Sequence, residues 1–195
     1  MAQGRRRDAI LAAARSAFAR DGYAGARIER IAEAAGVNKQ LIFHYFHSKE
    51  ALYSAIVSAV FAGWQPPADT GALPPERLRR LTDQIVLWLI DNPGAARAIA
   101  EAGSVQAHAD AAMPPSEAMG WLVATKSAVR SAVEGGQRQG YFRDDVDPQS
   151  IAEIVTSYAV GHALMADTEG GISLPEPQRL SSDLSRSLVE YCAWR

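Results

Sequence analysis

Lys39 and Gln40 stand side by side directly after Asn38, in the segment AGVNKQLIFHYFHSKEAL that ends at Leu52. A lysine ammonium suits the acceptors of guanine, and a glutamine amide can pair with adenine. Asn38 can cap a helix through its side-chain oxygen, which sets Lys39 and Gln40 in that helix's first turn. Leu41 is placed either to lean on a thymine methyl or simply to pack. This chemistry is the reading of base edges, not bond breaking. No Gly-rich phosphate loop, HExxH or GxSxG motif occurs in the chain. Of four histidines, His44 and His47 lie in this segment, while His108 and His162 stand alone. Asp144, Asp145 and Asp147 lack the spacing of a calcium loop and read as a turn and helix cap. Neither a catalytic residue, a metal nor a cofactor is expected.

The elements that must position these residues are legible beside them. Ile28, Ile31, Ala32 and Ala35 recur at i, i+3, i+4 and i+7, one face of an α-helix. Gly36 supplies the permissive backbone that lets the chain leave that helix. Two helices joined by so short a turn describe a helix-turn-helix, whose second helix fits the DNA major groove. Within that second helix Val37, Ile42 and Phe46 should face the core, leaving Lys39, Gln40, Phe43, His44 and His47 mostly outward. A first helix carries Ile10, Ala14, Ala17 and Phe18 on one face and is ended by Asp21-Gly22. Ser48 caps a fourth, with Glu50 in its first turn and Leu52, Ile56 and Val60 on its buried side.

Charge is distributed as a nucleic-acid partner requires. The 195 residues carry a net charge of only −2. Residues 1–50 nevertheless hold nine Lys/Arg against five Asp/Glu, a balance of +4, and the remainder holds eleven against seventeen, a balance of −6. The basic end is the end with the helix-turn-helix. Cys192 is the single cysteine, which excludes an intrachain disulfide and a thiolate metal cluster. Nothing resembles a signal peptide, and no run approaches the roughly twenty apolar residues of a membrane span. The reading is a soluble, cytoplasmic protein.

Helical patterns continue to the end, and no alternating strand pattern intervenes. A loop from Trp64 to Pro75 precedes a fifth helix marked by Leu78, Leu81, Ile85 and Leu89, which Asn92-Pro93-Gly94 breaks. A short helix spans Ala95–Ala102. Pro114-Pro115 opens a long one running to Gly140, with a bend possible at Gly135-Gly136, where each glycine costs about 1 kcal/mol relative to alanine. Asp147 and Pro148 cap and start an eighth helix whose apolar set is Ile151, Ile154, Val155, Tyr158, Ala159, His162 and Met165. Glu169-Gly170-Gly171 ends it. A ninth begins near Pro175 and carries Leu180, Leu184, Leu188 and Tyr191 at helical spacing. From the residues alone, these last two stripes suit packing inside a monomer and an intermolecular bundle equally.

The stretch GYAGARIERIAEAAGVNKQLIFHYFHSKEALY resembles the N-terminal DNA-binding domain of the TetR (tetracycline-repressor-like) family of bacterial transcriptional regulators. Phe18, Gly22, Tyr23, Ile31, Ala32, Ala35, Gly36, Val37, Tyr45, Phe46, Ser48, Lys49, Glu50 and Leu52 carry the resemblance over roughly the first quarter of the chain. GYFRDDVDP at 140–148 is a weaker echo of the link before that family's dimerisation helices. The resemblance implies an all-α protein of about nine helices. Residues 1–47 would form a three-helix DNA-binding domain, and 48–195 a helical effector-binding and dimerisation domain. It implies a homodimer through the last two helices, which suits two recognition helices meeting major grooves about 34 Å apart on a palindromic operator.

The resemblance also distributes roles. His44 and Tyr45 resemble positions meeting the phosphate backbone or groove edge, and Lys49 the family's phosphate anchor at a helix N-terminus. Arg27 could add phosphate contacts; Arg5-Arg6-Arg7 reads either as phosphate or minor-groove contacts or as a solvated tail. Two positions depart from the pattern. Ala26 can neither cap nor donate where many members have Thr or Ser, and Phe43 lacks the hydroxyl of the common Tyr. Each loss is worth about 1 kcal/mol. The family's pocket lies among the fourth to eighth helices, where Trp64, Trp88, Met119, Trp121, Tyr158, His162 and Met165 could line it. The function implied is a one-component repressor released by a small-molecule effector. Two rivals are a ligand-binding or enzymatic helical protein with a vestigial motif, and a helical scaffold.

Overall fold

Two side-chain caps set the register of the N-terminal helices. The Asn38 side-chain oxygen accepts from the Leu41 N–H at 2.8 Å, and Ser48 Oγ accepts from the Ala51 N–H at 3.1 Å. They open the helices α3 and α4 in the computed structural model, which describes residues 2–67, 71–105, 116–166 and 176–193. The expectations at His108, Pro114-Pro115, Glu169-Gly170-Gly171 and Pro175 lie outside these residues. The described elements are α1 (Ala2–Gly25), α2 (Ile28–Ala34), α3 (Lys39–Phe46), α4 (Lys49–Ala62), α5 (Pro74–Asp91), α6 (Pro93–Val105), α7 (Ser116–Arg138), α8 (Pro148–Ala166) and α9 (Pro177–Cys192). The fold is all-α, as the sequence predicts. The described residues add one isolated antiparallel bridge, Phe142 to Ala193.

α1 to α3 close on one another through Ile10, Ala14, Phe18, Ile31, Ile42 and Phe46, all buried. Fully burying such a side chain is worth about 1.5–3 kcal/mol. α1 breaks at Asp21-Gly22 as its sequence suggests, with φ 68° and ψ 180° at Gly22, and a short helical turn follows to Gly25. That region is essentially restricted to glycine. The expected capping site of α2 moves by one residue. Arg27 is the N-cap, with no side-chain cap bond, and Ala26 is a core residue.

The larger helical body is built on α5, which packs against α7, α8 and α9. The break expected at Asn92-Pro93-Gly94 is a single residue, Asn92, since Pro93 begins α6. Asp147 caps α8 as expected, accepting from the Gln149 and Ser150 N–H groups at 3.2 and 3.0 Å. The Ser150 hydroxyl, which donates to Asp147 Oδ2 at 2.7 Å, and then these backbone bonds hold its carboxyl below the usual carboxylate range. α7 runs through Gly135-Gly136 unbroken, and Gly136 has a packing task instead: a Cβ there would overlap the ring of Phe142.

The ninth helix buries only part of its apolar stripe within the chain. The buried face of α9 is Ser181, Ser185, Leu188 and Cys192, turned to α5, while Leu180 and Leu184 are half-buried and Tyr191 is exposed. Small residues allow close approach of the two helices, and Ser181 Oγ donates to Asp83 Oδ1 at 2.7 Å. On α8, Ile154 and Met165 of the expected apolar set are about half exposed, at 48% and 54%.

Candidate functional site

The outward surface of α3 is where the sequence places its recognition chemistry. Ile42 and Phe46 are buried and Val37 half-buried, while Lys39, Gln40, His44 and His47 are exposed to solvent. Asn38 is exposed and occupied as the helix cap. Leu41, Phe43 and Tyr45 are half-buried at the flanks, with the Tyr45 ring edge-on to His44 at 5.5 Å. Lys39 does not extend freely. Its Nζ donates to Glu29 Oε1 on α2 at 2.5 Å and lies 5.7 Å from the centroid of the Phe43 ring. The ammonium in turn holds the Glu29 carboxyl below the usual range.

A second cationic cluster sits where α1 meets α4. Lys49, the first residue of α4, holds its Nζ 4.7 Å from the Tyr23 ring centroid and 3.5 Å from the carbonyl of Ala24. The Tyr23 hydroxyl donates to Glu50 at 2.5 Å. That bond brings the Glu50 carboxyl down to about 2, and burial together with the carboxylate pushes the Tyr23 phenol up to about 12. Arg27 is exposed at the start of α2. Arg5, Arg6 and Arg7 lie on an exposed helical turn of α1, and the Arg7 guanidinium covers the Phe46 ring at 5.4 Å. Helical backbone carries this run, and Arg7 is the one of the three seen against α3.

The end of α1 is also tied to α6. Glu101 Oε1 accepts from the Tyr23 N–H at 3.1 Å and its Oε2 from the Tyr53 hydroxyl at 2.6 Å. Arg97 Nε donates to the Ala19 carbonyl at 2.8 Å. Burial and the Glu101 carboxylate raise the Tyr53 phenol, so it stays protonated as a donor. Gly22 leaves room for this clasp, since a Cβ there would come within 2.8 Å of Glu101 Oε1. Neither Glu101 nor Glu29 is signalled by the sequence. Each acts on a residue outside its own helix, and no local period reports such a bond.

The seven residues expected to line a pocket fall in two places. Trp64, Trp88 and Trp121 gather with Phe61 into one aromatic cluster, their indole centroids 5.1–5.5 Å apart. Trp121 Nε1 is buried without a hydrogen-bond partner among the described residues, as is Thr125 Oγ1 one turn later on α7. Met119 is half-buried against the same hydrophobic core. Tyr158, His162 and Met165 instead line an open groove of about 290 Å³ beside α8, closed on one side by Leu180 of α9. The His162 ring stacks on Tyr158 at 6.0 Å, and burial lowers its pKa. Among the described residues no cluster of His, Cys, Asp and Glu is arranged to hold a metal, and no helix is long and apolar enough to cross a membrane.

The comparisons with known proteins agree with this geometry. Residues 10–56, which contain α2, α3 and most of α1 and α4, match the sequence model of the bacterial regulatory proteins of the tetR family. The chain is 31% identical over 147 residues to the HTH-type transcriptional repressor NicS of Pseudomonas putida, across 73% of this chain and 68% of that one. It is 45% identical over 62 residues to the HTH-type transcriptional regulator RutR of Escherichia coli, a match confined to 32% of this chain and 29% of RutR. The structure of a tetR-family regulatory protein from Rhodococcus RHA1 superposes with a TM-score of 0.77 at 19% identity, covering 97% of this chain and 98% of that one. A shared helix-turn-helix, a relative matched along most of both chains and a common fold lead to one conclusion: the chain belongs to the tetR family of bacterial regulatory proteins.

Proposed function

We propose that the protein is a ligand-responsive, cytoplasmic transcriptional repressor that binds a palindromic operator as a homodimer. Residues 1–47 act as the DNA-binding domain and 48–195 as the effector-binding and dimerisation domain. The observation that carries this reading is the capped helix α3, which turns Lys39, Gln40 and His44 outward beside a basic first quarter. Lys39 and Gln40 read base edges, while Arg27, His44, Tyr45 and Lys49 meet the backbone. Leu41 and Phe43 supply apolar contact at the flanks. Asn38 acts through its cap, fixing the first turn. The relatives are transcriptional regulators, so a helical enzyme with a vestigial motif is not favoured.

Footprinting of genomic fragments with the purified protein, with and without a metabolite panel, tests the reading. Protection of an inverted repeat, lost with one of the metabolites, is the expected result; no protection at low salt refutes it. Lys49→Ala should weaken binding to every sequence alike. It should also reduce the slope of log K against log salt by about 1, since one phosphate contact is lost. Gln40→Ala should instead relax preference at one base position, by about 1–3 kcal/mol.

Dimerisation is assigned to α8 and α9. Ile154, Tyr158, Gly161 and Met165 form a stripe at i, i+4, i+7 and i+11 on α8, with half-buried Leu180 and Leu184 on α9. An apolar stripe left unburied within one chain is the signature of a partner helix. Ile154→Arg should halve the mass seen by light scattering while leaving the melting temperature of the monomer intact. A variant that stays dimeric refutes the assignment.

The effector is a small, partly apolar molecule bound at the aromatic cluster. A buried indole N–H without a partner costs about 1–3 kcal/mol, so an acceptor on the effector gains by meeting Trp121 Nε1. Such a molecule releases DNA only if it binds the two conformations with different affinity.

A further inference from the structure

We infer that Glu29, acting with Lys39 as one donor–acceptor unit, is a specificity-determining residue that reads a G·C base pair in each half of the operator. The inference rests on the DNA-binding reading of α3 and deepens it. Glu29 lies in the first turn of α2, outside the recognition helix, and its carboxylate receives the Lys39 ammonium at 2.5 Å. Both side chains are at least half exposed, at 65% and 50%. They meet in solvent where the first turns of α2 and α3 come together.

A carboxylate there needs a physical account. Within a Debye length of about 8 Å it repels every phosphate, and it cancels the attraction of the lysine best placed for contact. An exposed ion pair returns only about 0–1 kcal/mol in exchange. The pair does, however, bias where the lysine's ammonium sits. The Phe43 ring bounds the ammonium on one side and Glu29 holds it on another. Lys39 is thereby biased toward its partner carboxylate and away from the phosphates.

The geometry also matches a particular edge. In the major groove a G·C pair sets the guanine O6 acceptor directly beside the cytosine N4 donor, with guanine N7 as a second acceptor. Lys39 donates to O6 and N7, and Glu29 accepts from N4. Ammonium and carboxylate are neighbours on the protein as O6 and N4 are on the DNA. An A·T pair offers the lysine one fewer adjacent acceptor and puts a methyl group in the way.

Selection from a randomised duplex library, run with the native protein, Glu29→Ala, Lys39→Ala and the double variant, tests this. The native protein should return a palindromic motif with a G·C pair at one position of each half-site. Both single variants should relax that same position by about 10-fold, and the double variant no further than either alone. Failure of the native protein to select any motif strikes at the DNA-binding reading itself. A selected motif that Glu29→Ala leaves unchanged, with affinity raised for every duplex alike, overturns the inference and leaves Glu29 a simple electrostatic brake. So does relaxation of two different positions by the two single variants.

Discussion

Gly136→Ala is expected to lower the melting temperature by roughly 6–12 °C. The added Cβ would lie on top of three atoms of the Phe142 ring. Overpacking of this kind costs about 1–3 kcal/mol when neighbours can shift, and in a chain of this length each kcal/mol is worth roughly 2–4 °C. Phe142 cannot shift cheaply. It is fully buried, and its own segment is pinned from both sides. The Arg143 N–H donates to the Cys192 carbonyl at 2.8 Å, and Gln137 Nε2 donates to the Arg143 and Val146 carbonyls at 2.9 and 2.8 Å. The Arg143 guanidinium covers the exposed Tyr191 ring at 5.3 Å. The cost should therefore lie at the upper end, about 3 kcal/mol. Phe142→Leu in the same background should recover part of it, because the two changes share one contact and are not additive. A melting temperature within a degree or two of the native protein would show that the ring yields, and that the loop is looser than its hydrogen bonds imply.

Phe142 also marks how far the sequence could be read. Asn38, Ser48 and Asp147 were legible as caps because capping needs one side chain and the backbone three residues on. The stripe Ile28, Ile31, Ala32, Ala35 was legible because one face of α2 has only one core to meet. α9 was not legible in this way. Its stripe Leu180, Leu184, Leu188 and Tyr191 suited an inward and an intermolecular face equally, and Ser181, Ser185, Leu188 and Cys192 take the inward side. An apolar stripe states that a partner exists; it does not say whether that partner belongs to the same chain. Residue type marks the tryptophans as candidates for a pocket, and Trp64 after α4, Trp88 on α5 and Trp121 on α7 do meet. Nothing in their spacing separated them from Tyr158, His162 and Met165, which lie in a different groove. Polar contacts between distant segments had no signature at all: Glu29 reaches Lys39 across two helices, and Glu101 reaches Tyr23 across 78 residues.

Glu101→Ala is expected to have the larger functional consequence, because Glu101 joins three helices with one carboxylate. Its loss strands the Tyr53 hydroxyl, in a buried residue, and the Tyr23 N–H at the kink of α1. Hydrogen bonds to a charged group are worth about 1.5–3 kcal/mol, which predicts a melting temperature lower by roughly 3–12 °C. Glu101→Gln separates charge from shape. Its amide oxygen can still accept from the Tyr23 N–H while its NH₂ donates to the Tyr53 oxygen, so it should lose less than half as much. The alkaline limb supplies an independent readout. Burial and carboxylates raise both phenols in the folded state, Tyr23 to about 12 from an ordinary 10.0. A raised phenol contributes stability fully below its unfolded value and loses it as pH rises through the folded one. Melting temperature should therefore fall between about pH 10 and pH 12, and Tyr53→Phe should flatten part of that fall. The same loosening should appear as faster amide exchange at the end of α1 and through α2, with α7 and α8 unchanged. In the proposed dimer, whose two headpieces would meet grooves about 34 Å apart, freedom at this joint should weaken binding to a palindrome more than binding to a half-site. Equal losses on both duplexes, or exchange that rises uniformly over the chain, would mean that Glu101 stabilises the fold without setting the headpiece.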